Sequence, residues 1–454
     1  MTGPPTPLRT PRRRPFLAAL ATSGLAALTG CASESGPTPE TDPSSGSPVE
    51  VLHNWTSGPN MLASESFAAA FREAHPSVPT DVRPVADADV DDLLVRRVEG
   101  GDPPGTVGTV PGENLAPFDD SLATVDDVWT GELTDAHPPL AREVCRRDGA
   151  YRAVPVAAFR VDTVYYNVDI LDDVGVAPAS LSSVDGVLAA VEAVAASSST
   201  DARPLGHALG RPRPTLQLFA ALLAAVDPEA YRGFVSGGEP RSAVREAVAA
   251  TSRLLSAVGD DAADVQIEAG RRVGSGAATV VQSGSWLSAS LRRAGFGHRS
   301  EDGTGSWGVV GLGDAPVVLY DAFVPPAGSP SPEGAAAWLA FAGSETGQVA
   351  FNSPPSAGAR PDPSPEDRED PPAPRGSVPP RTDVSPARFE PPLTTVTRAY
   401  RDADERLPSM AHGLAFPPAT LGALLETVDE RLVSAETVDV GAATDALVAA
   451  VTDA

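Results

Sequence analysis

Between residues 49 and 110 the sequence alternates short β-rich runs with amphipathic helical runs. Val49-Glu50-Val51-Leu52-His53-Asn54-Trp55 alternates in polarity and reads as a strand. The turn Thr56-Ser57-Gly58-Pro59-Asn60 follows, with Ser57 or Asn60 as the candidate helix cap. Phe67, Ala70, Phe71 and Ala74 then recur at helical spacing. A short strand is expected near Val82–Val85 and a helix over Asp87–Val98. In that helix Val90, Leu93, Leu94 and Val98 share one face, and Asp87 and Asp89 favour the positive end of the dipole. Gly101-Asp102-Pro103-Pro104-Gly105 breaks the chain before a strand over Thr106–Val110. The order β-α-β-α-β predicts an α/β fold in which crossover helices join parallel strands. Ligands in such sheets bind beyond the carboxyl ends of strands, here Trp55–Asn60 and Val110–Asn114.

Further along, residues 151–171 read as paired strands. Helices are expected over Ser183–Ala196, Gln217–Val226 and Arg241–Val258. A strand at Ala278–Gln282 leads into Gly284-Ser285-Trp286 and a helix ending at Arg293. Trp307–Leu312 and Val317–Val324 read as strands. Ser331–Phe341, Glu345–Phe351, Ala387–Glu405, Ala419–Val433 and Ala442–Thr452 read as helices. Pro354–Pro386 holds 11 Pro in 33 residues, too little apolar matter to pack, so 355–375 is read as a disordered insertion.

The charge balance excludes whole classes of partner. The chain has 34 basic residues, all Arg, against 60 acids, a net charge of −26. No basic surface is left to neutralise phosphates, so nucleic-acid binding is not expected. An acidic, Lys-free surface stays solvated in concentrated salt, where screening removes most of its self-repulsion, and the protein reads as a halophile's.

The first 30 residues read as an address. Arg13-Arg14-Pro15-Phe16-Leu17 has the twin-arginine export pattern. The apolar run Phe16–Leu28 is too short for a permanent span, which needs about 20 residues. It ends in Leu28-Thr29-Gly30-Cys31, a lipobox, so Cys31 is expected to carry lipid and 31–49 to act as a flexible tether. Cys145 is the only other Cys, so no disulfide is expected within the chain.

Signals for chemistry are missing. There is no G-x-S-x-G, H-E-x-x-H or P-loop. Histidines 53, 75, 137, 207, 298 and 412 are scattered. Gly303, Gly305 and Gly308 match G-x-G-x-x-G but precede a strand, so they read as a loop. Asp119-Asp120, Asp126-Asp127, Asp172-Asp173 and Asp260-Asp261 read as solvated faces. No catalytic residue, metal or cofactor is therefore expected.

Several stretches, taken in order, resemble the family 1 extracellular solute-binding proteins, the carbohydrate-binding subunits of ABC importers, and among them the glucose-type binders. The stretches are VLHNWTSGPN (51–60), VEGGDPPG (98–105), YRAVPV with FRVDTVYYNVDILDDVGV (151–176) and SGSW (283–286). They continue with YDAFVPPAGSP (320–330), AAAWLAFAGSETGQVAFN (335–352), SVPPRTDV (377–384) and SMAHGLAFPPA (409–419). The likeness spans roughly 50–454. It implies a two-lobed periplasmic-binding-protein-like fold of type II, each lobe a mainly parallel sheet with flanking helices and a ligand cleft at the hinge. Lobe 1 is expected at 50–157 plus 276–327, and lobe 2 at 158–275 plus 328–454. The implied function is a lipid-anchored receptor, monomeric by analogy, that captures a sugar by lobe closure and hands it to ABC permease subunits. A secreted glycoside hydrolase and a receptor repurposed as a sensor are the alternatives.

Sugar sites combine aromatic faces with planar polar groups. Trp55, at the end of the first strand, is either a ring facing the cleft or a core residue. Asn60 is either a ligand hydrogen-bonder or a helix cap. Trp286 follows a Gly-Ser turn and serves the ligand or lobe packing. Asp321, between Tyr320 and Ala322, matches an acidic position in the family's cleft and either serves the site or does not, and His412 is either the family's cleft histidine or a capped loop histidine. Arg160 is a weaker candidate, with a hinge ion pair as the other reading. The family's adjacent Trp pair is Asn54-Trp55 here, and its Gln and His fall at Gly108 and Val110. These departures leave the sugar open between a glucose-like ligand, another polyol and a larger glycan.

Overall fold

The computed structural model describes residues 47–56, 58–85, 90–259, 262–300, 303–353 and 375–453. The expected signal segment, Cys31, most of the tether and 355–374 of the insertion lie outside the described residues. The described strands are β1 (Val49–His53), β2 (Thr80–Pro84), β3 (Thr106–Thr109), β4 (Arg146–Arg147), β5 (Ala150–Tyr151) and β6 (Val154–Arg160). They continue with β7 (Thr163–Asn167), β8 (Arg203–Leu205), β9 (Ala278–Ser283), β10 (Trp307–Gly311), β11 (Val317–Val324) and β12 (Leu407–Pro408).

The opening segment folds in the expected order. β1 pairs in parallel with β2 and β3, with Val51 opposite both Val82 and Thr106. Helices Gly58–Ala74 and Val90–Glu99 make the crossovers. Phe67 and Phe71, one turn apart, are fully buried and meet Trp338 at ring distances of 4.9 and 4.8 Å. β11 completes this first sheet. One edge of β11 runs antiparallel to β6, and the other meets β3 antiparallel and β12 in parallel. β4 and β5 form a separate hairpin whose turn residues, Asp148 and Gly149, have φ of 50° and 81°. That geometry matches the twist of the flanking strands.

The second sheet has the order β10-β7-β9-β8. Only β8 and β9 are parallel in it, so the mainly parallel character expected of both lobes describes the first sheet alone. Residues 151–171 do not form a pair with each other. β6 joins the first sheet and β7 the second, because Val161-Asp162 carries the chain from lobe to lobe. The lobe boundaries shift for the same reason. β9 and β10, expected in lobe 1, belong to lobe 2. Helices Pro332–Gly343 and Glu345–Asn352, expected in lobe 2, pack on β6 and β11 or helix Gly58–Ala74 of lobe 1. Gly334 fits only because it lacks a side chain, since a Cβ there would lie 2.3 Å from Val49 Cγ2. Helices Pro418–Val428 and Val440–Thr452 pack on Arg213–Val226 and Arg241–Leu255 respectively.

Among the described residues the chain thus crosses between lobes three times, at 161–162, 312–316 and 409–417. The end of the Pro-rich stretch is also ordered. Residues 375–381 are all buried, and Val378 exchanges two backbone hydrogen bonds of 2.8 Å with Ala158 on the free edge of β6. Arg375, assigned from sequence to the disordered insertion, is therefore part of the core.

Candidate binding cleft

Trp55 leaves the carboxyl end of β1 and lies over β3 at Gly108. A Cβ at residue 108 would come 2.9 Å from Trp55 Cη2, so the glycine makes the space the indole fills. The ring is 4% exposed. His53 stacks on it at 5.1 Å, and Phe351 and Phe323 meet it edge-on at 4.8 and 5.5 Å. Trp55 is thus a buried ring rather than one open to the cleft. Its Nε1 donates to Asp321 Oδ2 at 3.2 Å.

Asp321 lies on β11 at a register shift opposite Ala157, where a bulge re-aims the carboxylate. The same oxygen accepts from Arg375 Nη2. The Arg375 Nε donates to Asn60 Oδ1 at 2.9 Å. Asn60 sits inside the first turn of its helix, so it binds a side chain rather than capping the helix. The Arg375 guanidinium stands 5.1, 4.9 and 4.5 Å from the ring centroids of Trp55, Phe159 and Phe351. Burial draws its pKa down and the Asp321 charge opposes that. Arg375 Nη1, Ser285 Oγ and Ser377 Oγ are buried without a hydrogen-bond partner among the described residues.

Phe159 connects this cluster to lobe 2. Its ring meets Trp286 edge-on at 5.7 Å, and Trp286 meets His412 at 5.5 Å. Gly284 allows this placement, since a Cβ there would lie 2.3 Å from Trp286 Cζ3. Gly376 packs on the same turn, its would-be Cβ 2.4 Å from the Ser285 carbonyl oxygen. His412 is held on the third crossing. Its Nδ1 and Ser409 Oγ are 2.8 Å apart, and Arg213 donates to the Ala411 carbonyl. Burial, helped by the Arg213 charge, lowers the His412 pKa to about 3, so the imidazole is neutral at physiological pH. From lobe 1, Asn114 N donates to the Gly413 carbonyl at 2.8 Å.

Trp55, Asn60 and Asp321 therefore form one cluster around Arg375, and Phe159 links it to Trp286 and His412; the sequence reading singled out neither Arg375 nor Phe159. Arg160 lies apart from them, in a buried pair with Asp162. Among the described residues no group of three or more His, Cys, Asp or Glu could hold a metal ion. Among the acid pairs, Asp119 binds Arg147, and Asp126 accepts from Tyr151 N at 2.9 Å. The cluster brings together aromatic rings, a carboxylate paired with a guanidinium, an imidazole held neutral and hydroxyls.

Two α/β lobes joined by three crossings around such a cluster define a two-lobed binding protein. The chain belongs to the bacterial extracellular solute-binding proteins, whose family profile matches residues 66–366. It is 30% identical over 419 residues to the xylose/arabinose-binding protein XacG of Haloferax volcanii, covering 90% of this chain and 85% of that one. It is 25% identical over 402 residues to an uncharacterised ABC transporter extracellular-binding protein of Pyrococcus horikoshii, covering 85% and 84%. Solved structures share the fold. A chitin oligosaccharide binding protein superposes with a TM-score of 0.65 at 17% identity, covering 89% of this chain and 98% of that one. A maltotriose binding protein of Thermus thermophilus gives 0.58 at 14%, covering 89% and 99%. The chain is thus a solute receptor of the ABC-importer type, a class that works outside the cytoplasm.

Proposed function

We propose that this receptor captures a neutral mono- or small oligosaccharide by lobe closure, does no chemistry on it and delivers it to a membrane permease. The observation that carries the reading is the Asp321–Arg375 pair beside Trp55 and Phe159, with Phe159 in turn against Trp286 and Trp286 against His412. A carboxylate next to a guanidinium offers an acceptor and a donor to neighbouring hydroxyls, and the half-buried Trp286 indole suits the C–H face of a sugar ring. The pentoses named for the Haloferax relative make D-xylose and L-arabinose the first ligands to test. The twin-arginine pattern and the lipobox support export in folded form and anchorage through lipid on Cys31, and the acidic, Lys-free composition supports work in concentrated salt.

The test is a thermal-shift and calorimetric screen in concentrated KCl against pentoses, hexoses, disaccharides and amino acids. A ligand that binds only the native state raises its stability by mass action. Stabilisation by a sugar that is lost in Trp286→Ala and Asp321→Ala supports the reading. Stabilisation by amino acids alone sinks it. Mass spectrometry of the membrane-extracted amino terminus tests the anchor, and an unmodified Cys31 in the exported protein rejects it.

A further inference from the structure

Arg160 ends β6, and the first crossing, Val161-Asp162, follows it. Its guanidinium grips the Asp162 carboxylate as a fork, with Nε to Oδ1 at 2.7 Å and Nη2 to Oδ2 at 3.0 Å. Asp162 is fully buried and Arg160 is 8% exposed. The same Nη2 reaches the carbonyl of Gly313 on the second crossing at 3.5 Å. Backbone bonds join the two crossings as well. Leu312 N donates to the Asp162 carbonyl, and Val161 N to the Val317 carbonyl, both at 2.9 Å. Gly311 makes room for the fork, since a Cβ there would lie 2.2 Å from Arg160 Cζ. The backbone of Arg160 reaches the turn before Trp286. Its carbonyl accepts from Ser285 N at 2.8 Å, in the turn that presents Trp286, and the Tyr165 hydroxyl donates to the Ser285 carbonyl at 3.2 Å.

We propose that Arg160 is a positioning residue for binding: its side chain clips two of the three lobe crossings together while its carbonyl carries the turn that presents Trp286. The inference rests on the receptor reading but not on which sugar is bound. A two-bond fork has one good geometry, unlike the point charge of a lysine. The lobes can turn only as far as the fork and its two crossings turn together, so the clip narrows the range of lobe angles. Through Ser285 it also ties that angle to the separation of Trp286 from Phe159.

Three variants separate charge from shape: Arg160→Lys keeps the charge and loses the fork, Asp162→Asn loses the anion, and Gly311→Ala pushes the guanidinium aside sterically. Small-angle scattering of the ligand-free protein reads the lobe angle, and stopped-flow titration with D-xylose and L-arabinose reads binding. The expected result is an altered ligand-free scattering profile in all three. Affinity should fall roughly tenfold, the size of a typical coupling between distant parts of a protein, and mostly through faster dissociation. Trp286→Ala should weaken binding while scattering like the wild type. Folded variants that scatter and bind as the wild type does overturn the proposal, and so does lost affinity with unchanged scattering. If Arg160→Lys fails to fold, Gly311→Ala decides. A wild-type protein that binds neither pentose refutes the pentose reading, while the scattering comparison still decides the clip.

Discussion

Asp321 and Arg375 lie 54 positions apart and meet in a nearly dry place, with side chains 12% and 2% exposed. Asp321→Asn leaves the guanidinium without its counter-charge among aromatic rings. Breaking a buried pair by removing one partner costs roughly 3–5 kcal/mol, and the residual exposure of Asp321 puts this case near 3 kcal/mol. Urea denaturation measures it. Adding Arg375→Gln should recover much of the loss, because the two sites share one interaction and their effects are not additive. Strictly additive losses would mean that the pair has no net worth. The same two residues mark what the sequence allowed to be read. Asp321 and His412 stand inside stretches that resemble the family, so both were legible as candidates. Arg375 stands two residues before such a stretch, at the end of a Pro- and acid-rich run with no periodicity. The available signal was the need of a buried Asp321 for a cation. The burial of Trp55 was not legible either, because it depends on the missing side chain of Gly108, far along the chain on the neighbouring strand.

Most elements were visible as periodicities. The helix over Val184–Ala196 begins one residue after Ser183, whose hydroxyl accepts from Gly186 N at 3.2 Å as a cap should. Which sheet an element joins was not visible, because partners are chosen by contacts remote in sequence. Adjacent β-rich runs at 154–160 and 163–167 look like a hairpin, yet no turn residues separate them, only a crossing. The Arg375–Val384 strap shows how such remote choices are enforced. Gln348, on helix Glu345–Asn352, donates to the Pro155 carbonyl at 3.1 Å and lies 2.9 Å from His137 Nε2. Its Oε1 accepts from Arg381 N at 2.9 Å. Gln348→Leu keeps the volume but strands the Arg381 N–H and the Pro155 carbonyl. A buried unsatisfied group costs roughly 1–3 kcal/mol, so the variant should melt several degrees lower. The strap also delivers Arg375, so sugar affinity should fall with it. A variant with wild-type melting would show that the strap is held by other contacts.

At the scale of the whole molecule, buried and half-buried histidines make stability depend on pH, and between about pH 5 and pH 7 ordinary carboxylates are nearly silent. Burial lowers the pKa of His53, His137, His207 and His298 to about 4, and that of His412 to about 3. In the unfolded chain each returns to the usual 6.5. Between those values the unfolded state binds more protons than the native state, so stability rises with pH across the window. The contribution is fully present above about 6.5 and is lost as pH falls toward about 4. Ordinary carboxylates stay ionised above pH ~5, so the numerous acids add little slope there. Each histidine can contribute at most about 1.4 kcal/mol per pH unit, and several together should lower the unfolding free energy by several kcal/mol between about pH 7 and pH 5. Urea denaturation at a series of pH values, at constant high salt, measures the slope. His207, whose Nε2 lies 3.0 Å from Thr215 Oγ1 inside lobe 2, lies outside the cleft and serves as the control. His207→Gln should flatten the curve by one group's share without changing sugar affinity at neutral pH. His412→Gln should flatten it similarly and also weaken binding, because that neutral imidazole faces Trp286 in the cleft. A curve flat from about pH 7 to pH 5 would mean that these histidines titrate normally in the native protein, and the dry packing described around them would then be wrong.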